Sequence, residues 1–145
     1  MSATGVDVFD KTLQTTNIWL DEIMAEMGPD RQLAWHVLGS VLRAVRDRVG
    51  PDLGAHLGSQ LPLLVRGAYY DRYQPSTIPD KTRSLDEFLP KIEADLESFR
   101  PVNSEDAFRV VCGVLARHVD GGQMAKIFEA LPEEIRRVAE PRPNA

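Results

Sequence analysis

Chemistry in this 145-residue chain would have to come from three histidines, one cysteine, a scatter of arginines and a tyrosine cluster. His36, His56 and His118 are the natural metal ligands. None has Glu or Asp three positions before it, so the Glu-x-x-His pair of di-iron bundles is absent. No His-x-x-x-His or Cys-x-x-Cys occurs either. No metal and no cofactor is expected, and the histidines read as partly exposed helix residues. A reactive Cys112 would need a neighbouring base or a helix N-terminus. It falls in the middle of a helical pattern, and reads as a small packing residue.

Arg43, Arg46, Arg48, Arg109, Arg117, Arg136 and Arg137 could form a nucleic-acid surface, but they interleave with Asp47, Asp52, Glu105, Asp106, Glu133 and Glu134. That mixture is expected of a solvated helix face. The formal charge of −5 argues against a general binder of phosphate backbones, while leaving room for a local basic stripe. No nucleic-acid partner is expected. With no Gly-rich phosphate loop and no Gly-x-Ser-x-Gly elbow, no catalytic residue is assigned, which weighs against an enzyme.

The remaining candidates for a ligand site or an interface are Arg66, Tyr69, Tyr70 and Tyr73. Arg66 and Tyr70 are four residues apart, hence on one helical face. An arginine there can stack on the ring or hold an anion beside the phenol. The competing reading is a tyrosine-rich corner that seals a junction. It expects Arg66 to be mostly buried with Tyr70, stacked on it and bonded to a carboxylate or carbonyl of the other half of the chain, with no empty pocket beside the pair.

The elements that would position these residues are helices, and they come in two copies. Leu33–Leu42 pairs with Asp106–Leu115 at one constant offset, Ala34 matching Ala107, Trp35 matching Phe108 and Gly39 matching Cys112. Leu57–Pro62 pairs with Ile127–Pro132 at a slightly smaller offset. That small change of offset is what a shorter loop between otherwise equivalent helices produces. Leu33, Val37, Val41 and Val45 recur at helical spacing, with Arg43, Arg46, Asp47 and Arg48 assigned to the opposite side. No stretch alternates with period two for long enough to argue a strand, so the expected fold is all-α.

Each half then holds a first helix, a core helix, a short helix and a helix opening at Pro62 or Pro132. Prolines mark the starts, since a missing N–H costs nothing in a first turn. Leu61 and Leu131, just before Pro62 and Pro132, are expected to be buried where two helices meet. Asn103 and Asp120 have N-cap character, and Ser84 with Glu87 has capping-box spacing. Pro90 conflicts with a helix starting at Ser84, and a later start near Leu89 is favoured. The expected organisation is one helical domain over residues 1–140. A first repeat covers roughly 6–73, a connector 74–83 and a second repeat 84–139, with a disordered tail at 141–145.

Four pieces together resemble the bacterial "domain of unknown function 2267" family. They are Gln60-Leu61-Pro62-Leu63-Leu64-Val65-Arg66-Gly67-Ala68-Tyr69-Tyr70, the following Tyr73-Gln74-Pro75, the Phe88 segment, and Ala130-Leu131-Pro132-Glu133-Glu134-Ile135. The resemblance covers nearly the whole chain and implies a compact all-α protein of two similar halves. It implies no activity, because the family is itself uncharacterised. Gly54 and Gly58 depart from the usual pattern, standing on the first short helix where better helix formers are expected.

The opening residues have neither a basic nor an apolar leader pattern, no apolar run approaches a membrane span, and one cysteine cannot form an internal disulfide. A cytoplasmic location and no membrane partner are therefore expected. The function read from the sequence is a non-catalytic protein-interaction module, with a protein partner or a second copy of itself. The alternative is a small-molecule or anion-binding protein, enzymes included, with its site in the crevice between the halves.

Overall fold

The computed structural model describes residues 2–141, and the predicted tail beyond Pro141 lies outside them. Among the described residues the chain forms α-helices and a single 3-10 turn, with no strand. The helices are α1 (Asp7–Met27), α2 (Arg31–Val49), α3 (Pro51–Ser59), α4 (Leu63–Tyr70), α5 (Leu85–Leu96), α6 (Ser104–His118), α7 (Gly121–Ala130) and α8 (Glu133–Ala139). The turn, Pro75–Thr77, lies between α4 and α5. No helix is long and apolar enough to cross a membrane among these residues.

Local chemistry sets the helix boundaries. Asp30, Asn103 and Asp120 each accept a hydrogen bond from the backbone N–H three residues on, capping α2, α6 and α7. Asp30 and Asn103 stand at the same offset as Ala34 and Ala107, so the cap itself recurs. Acidic Glu105 and Asp106 open α6, while Arg117 and His118 close it, as the helix dipole favours. Gly50, at φ 93°, ends α2 in a conformation that leaves Pro51 free to start α3.

The expected later start of α5 is corrected. Ser84 caps Glu87 N–H, and its hydroxyl donates to the Glu87 carboxylate at 3.0 Å, so the N-cap at Ser84 is real and Pro90 lies inside the helix. Asp86, whose carbonyl loses its bond, and Pro90 are both exposed, so the lost acceptor faces solvent rather than the core.

The two core helices pack on each other at the centre, α2 against α6. The first helix of each set of four crosses to the other set: α1 lies on α2 and α6, and α5 lies on α6 and α2. The short helices α3 and α7 also meet, and α4 and α8 close the two ends. Burial follows the same scheme. Trp19 and Ile23 on α1 are buried, and so are Ile92 and Leu96, which stand at the equivalent positions of α5.

The Leu-Pro elements agree most closely. From Leu61 to Tyr70 the sequence of buried, half-buried and exposed positions is the same as from Leu131 to Glu140. Leu61 and Leu131 are buried. Pro62 and Pro132 sit one residue before the helix, each carbonyl accepting the first intrahelical bond at 2.8 Å, from Arg66 N–H and Arg136 N–H. The core helices match less evenly: Ala34 and Ala107 are both buried, but Trp35 is half-buried whereas Phe108 is fully buried against Phe88.

Candidate functional site

The tyrosine candidates lie where α4 folds back on α3. Tyr69 is fully buried, and its hydroxyl donates to the Gly54 carbonyl at 2.6 Å. Burial pushes that phenol far above the ordinary tyrosine range, so it stays a neutral donor. Tyr70 is more than a third exposed and meets Tyr69 and Tyr73 edge-on, with ring centroids 5.0 and 5.6 Å away. The two unexpected glycines are the receiving surface for these rings. A Cβ on Gly58 would stand 2.6 Å from the Tyr70 hydroxyl oxygen and 3.0 Å from Tyr69 Cε2.

Arg66 departs from its expected role. It donates to the carbonyls of Gly58, Ser59 and Leu61 at 2.8, 3.1 and 3.0 Å, all within eight residues of it in the chain. Because α4 starts directly after α3 ends, Arg66 faces the carbonyls at and just after the α3 C-terminus, which have no helical i+4 partner, and donates to them. The cation that meets the tyrosines is Arg46, whose guanidinium carbon lies 5.2 Å from the centre of the Tyr73 ring.

Two arginines assigned to a solvated face are also corrected. Arg46 is only 3% exposed and donates to the Tyr69 and Asp71 carbonyls at 2.6 and 2.8 Å, with Asp47 on its Nε. Arg43 is half-buried and donates to the Ala68 carbonyl at 3.0 Å and to Asp95 at 2.6 Å. Both tie the end of α4 to α2. They project from the flank of α2 that packs on α4 and α5, so the face is charged but covered.

A cavity of about 360 Å³ opens along that flank, between α2 and α5, lined by Ser40, Arg43, Arg72, Lys91 and Asp95 among others. It is the crevice in which the sequence placed an alternative anion site. Its cations are already matched. Asp95 bridges Arg43 and Arg72, at 2.6 and 2.7 Å, and Lys91 pairs with Asp80. Burial alone would raise the Asp95 carboxyl, but hydrogen bonds from Arg72, Arg43 and Ser40 outweigh it and draw it down to about 2. An incoming anion would have to displace a carboxylate already held there.

The histidines are dispersed. His36 packs on Phe99 with ring centroids 3.8 Å apart, and burial, then the nearby Arg43 charge, lowers its pKa. His118 stacks on Trp19 and bonds Glu22 at 2.5 Å. His56 lies on α3, exposed. Among the described residues no group of His, Cys, Asp and Glu could hold a metal ion. Cys112 is buried and its thiol is pushed well above the ordinary range by that burial, which suits packing rather than nucleophilic attack.

Sequence reasoning missed an apolar end. Leu64 N–H donates to Thr12 Oγ1 at 3.1 Å, which seats the start of α4 on α1. Around this seat Val8, Phe9, Leu13, Leu63 and Leu64 are all between 41% and 53% exposed. The equivalent seat in the last four helices is made by Leu85 N–H on Glu134 Oε1 at 3.0 Å. There the positions matching Leu13, Leu63 and Leu64 are Asp86, Glu133 and Glu134, all exposed. At the other end the bond runs the opposite way, from the backbone of the first helix to a side chain of the last, and the surface around it carries carboxylates. The Leu-Leu against Glu-Glu contrast at the two Leu-Pro elements was the available signal.

The model of the family described as "Uncharacterized conserved protein (DUF2267)" matches residues 16–138. No curated protein matches the chain. With most of its length covered by that model, the chain belongs to the DUF2267 family.

Proposed function

We propose that this DUF2267 member is a non-catalytic protein-interaction module that docks through the apolar end formed by α1 and α4, with a second copy of the chain as its partner. The observation that carries the reading is the replacement of Asp86, Glu133 and Glu134 at one end by Leu13, Leu63 and Leu64 at the other. The fold does not require apolar side chains at those positions, so their exposure asks for a cover. A patch that lies on one end of the molecule suits a two-fold contact in which the same surface meets itself. Arg66 and Tyr70, on the same short helix, would flank that contact, while Tyr69 and Tyr73 hold the helix in place.

The alternative of an anion site in the α2–α5 crevice is less well supported, because Asp95 fills the role an anion would take. One helical domain of two related halves and a cytoplasmic place in a bacterial cell belong to the same reading. The recurring offset between the paired segments supports the first, and the acidic balance with a lone buried cysteine supports the second.

Sedimentation velocity over a range of concentrations tests the proposal. The wild-type chain should associate with rising concentration, and the double substitution Leu63→Glu with Leu64→Glu should hold it as a monomer. A wild type that remains monomeric throughout, or a double variant that associates as strongly, would overturn it.

A further inference from the structure

The connector between α4 and α5 carries a second, differently built surface. It is pinned to the C-terminal end of α2 by Asp80 N–H, which donates to the Asp47 carbonyl at 2.6 Å, and by Arg48 Nε, which donates to the Thr82 carbonyl at 2.7 Å. Between the connector and α2 lies a cavity of about 530 Å³ lined by Arg48, Ser76, Thr77, Asp80, Lys81 and Arg83, with Ile78 and Pro79 as its apolar wall. That size falls within the usual range of small-molecule sites, roughly 300–1,000 Å³.

The charges here are not matched as they are in the crevice. The one lining carboxylate, Asp80, is already engaged by Lys91 and by Thr82 N–H. Among the described residues, Arg48, Lys81 and Arg83 have no carboxylate partner. Arg48 is half-buried and spends only its Nε–H on the protein, leaving both terminal nitrogens of the fork without a protein acceptor among those residues. Partial burial, and then the neighbouring Arg83 charge, lower the Arg48 pKa, so the two cations feel each other. Holding like charges together in a cavity is unfavourable until an anion joins them.

We infer that this cavity binds a phosphate-type oxyanion, either free phosphate or the phosphate of a small monoester. The Arg48 fork would grip two oxygens, Lys81 and Arg83 would neutralise the remaining charge, and the Ser76 hydroxyl would supply a neutral donor. Ile78 and Pro79 offer an apolar wall for the ester's organic part. The overall charge of −5 is no obstacle, because three lining cations outnumber the one lining carboxylate among the described residues.

Isothermal titration calorimetry on the full chain, at ionic strength held constant with sodium chloride, tests the inference. Inorganic phosphate and phosphoserine are the two probes. Saturable binding of one anion per chain is expected, and the tighter probe tells whether free phosphate or an ester is the better fit. Arg48→Gln and Arg83→Gln should each weaken it by about tenfold or more. Arg109→Gln, on α6 and paired with Asp106, should leave it unchanged. Arg48 also ties the connector to the body, so if Arg48→Gln unfolds the protein, Arg83→Gln and Lys81→Gln decide alone. Heats no larger than dilution for both probes, or equal weakening by Arg109→Gln, would overturn the site.

Discussion

Asp95 on α5 accepts from Arg43 on α2 at 2.6 Å, and its counterpart Glu22, at the equivalent position on α1, accepts from Arg117 on α6 at the same distance. Each first helix thus sends one carboxylate across to the core helix of the other set of four. The pairs differ in their surroundings. Arg43 and Asp95 are half-buried, with side chains 15% and 19% exposed, whereas Arg117 is 51% exposed. Glu22 also takes His118, and although burial alone would raise its carboxyl, the His118 and Arg117 hydrogen bonds leave it lowered. Desolvated partners are costly to orphan, so the clasp at Asp95 should matter more than the clasp at Glu22.

Asp95→Asn should therefore destabilise the protein by about 1–3 kcal/mol, read from the urea midpoint, because Arg43 and Arg72 lose their charged acceptor. Glu22→Gln should cost less than about 1 kcal/mol, as exposed pairs usually do. The pH dependence has a definite sign. The Asp95 pKa falls from 3.8 to about 2 on folding, so its contribution is present above pH 4 and is lost as pH falls toward 2. After allowance for solvent screening, that contribution is roughly 1–2 kcal/mol. Acid titration of Asp95→Asn should show a shallower loss over this window than the wild type. Parallel curves would remove Asp95 from the account.

The Leu-Pro elements should be equivalent in energy as well as in place. Leu61 and Leu131 are 2% and 4% exposed, so replacing either by Ala should cost about 2–5 kcal/mol through lost transfer energy and the cavity left behind. Equilibrium denaturation of both variants checks this. An unchanged midpoint for either would place that leucine outside the core.

How far such features could be read without coordinates depended on how local their causes are. The helical type of every element, the caps at Asn103 and Asp120, and the buried Leu61 and Leu131 follow from neighbours within one or two turns. Arg43 and Arg46 did not, because their acceptors Ala68, Tyr69, Asp71 and Asp95 belong to elements much later in the chain. A charged residue on an amphipathic helix looks solvated until the element that covers it is in place. Pro90 failed for a related reason: a proline's cost depends on whether the carbonyl it leaves unpaired reaches water. Arg66 was found as a candidate but given a distant partner, when the carbonyls at the end of the preceding helix were nearer.

Gly58 should resist substitution although it sits in a helix. Ala is intrinsically better there by about 1 kcal/mol, but its Cβ would meet Tyr70 and the buried Tyr69 ring at 2.6–3.0 Å. Gly58→Ala should destabilise by about 1–3 kcal/mol, the usual scale of overpacking. Tyr70 makes the closest of these contacts, so the same change in a Tyr70→Ala background should cost distinctly less. A double-mutant cycle by urea denaturation measures the coupling, and a value near zero would mean the tyrosines adjust freely.

The apolar end should contribute little to the stability of the single chain, which separates a docking surface from a core. Leu63 and Leu64 are 47% and 41% exposed, and the matching residues at the other end are exposed glutamates. The bond that seats α4 on α1 runs from Leu64 backbone N–H to Thr12 Oγ1 and does not depend on the leucine side chain. Leu63→Glu and Leu64→Glu should each shift the folding free energy of the dilute protein by no more than about 0.5 kcal/mol, as surface substitutions do. Thr12→Val, which removes the acceptor for Leu64 N–H, should cost more, about 1–3 kcal/mol for a backbone donor left unpaired at a half-covered seam. Denaturation at low protein concentration reads all three. A loss of several kcal/mol from either glutamate would show that the leucines are packed into the fold, and the apolar end would then be no docking surface.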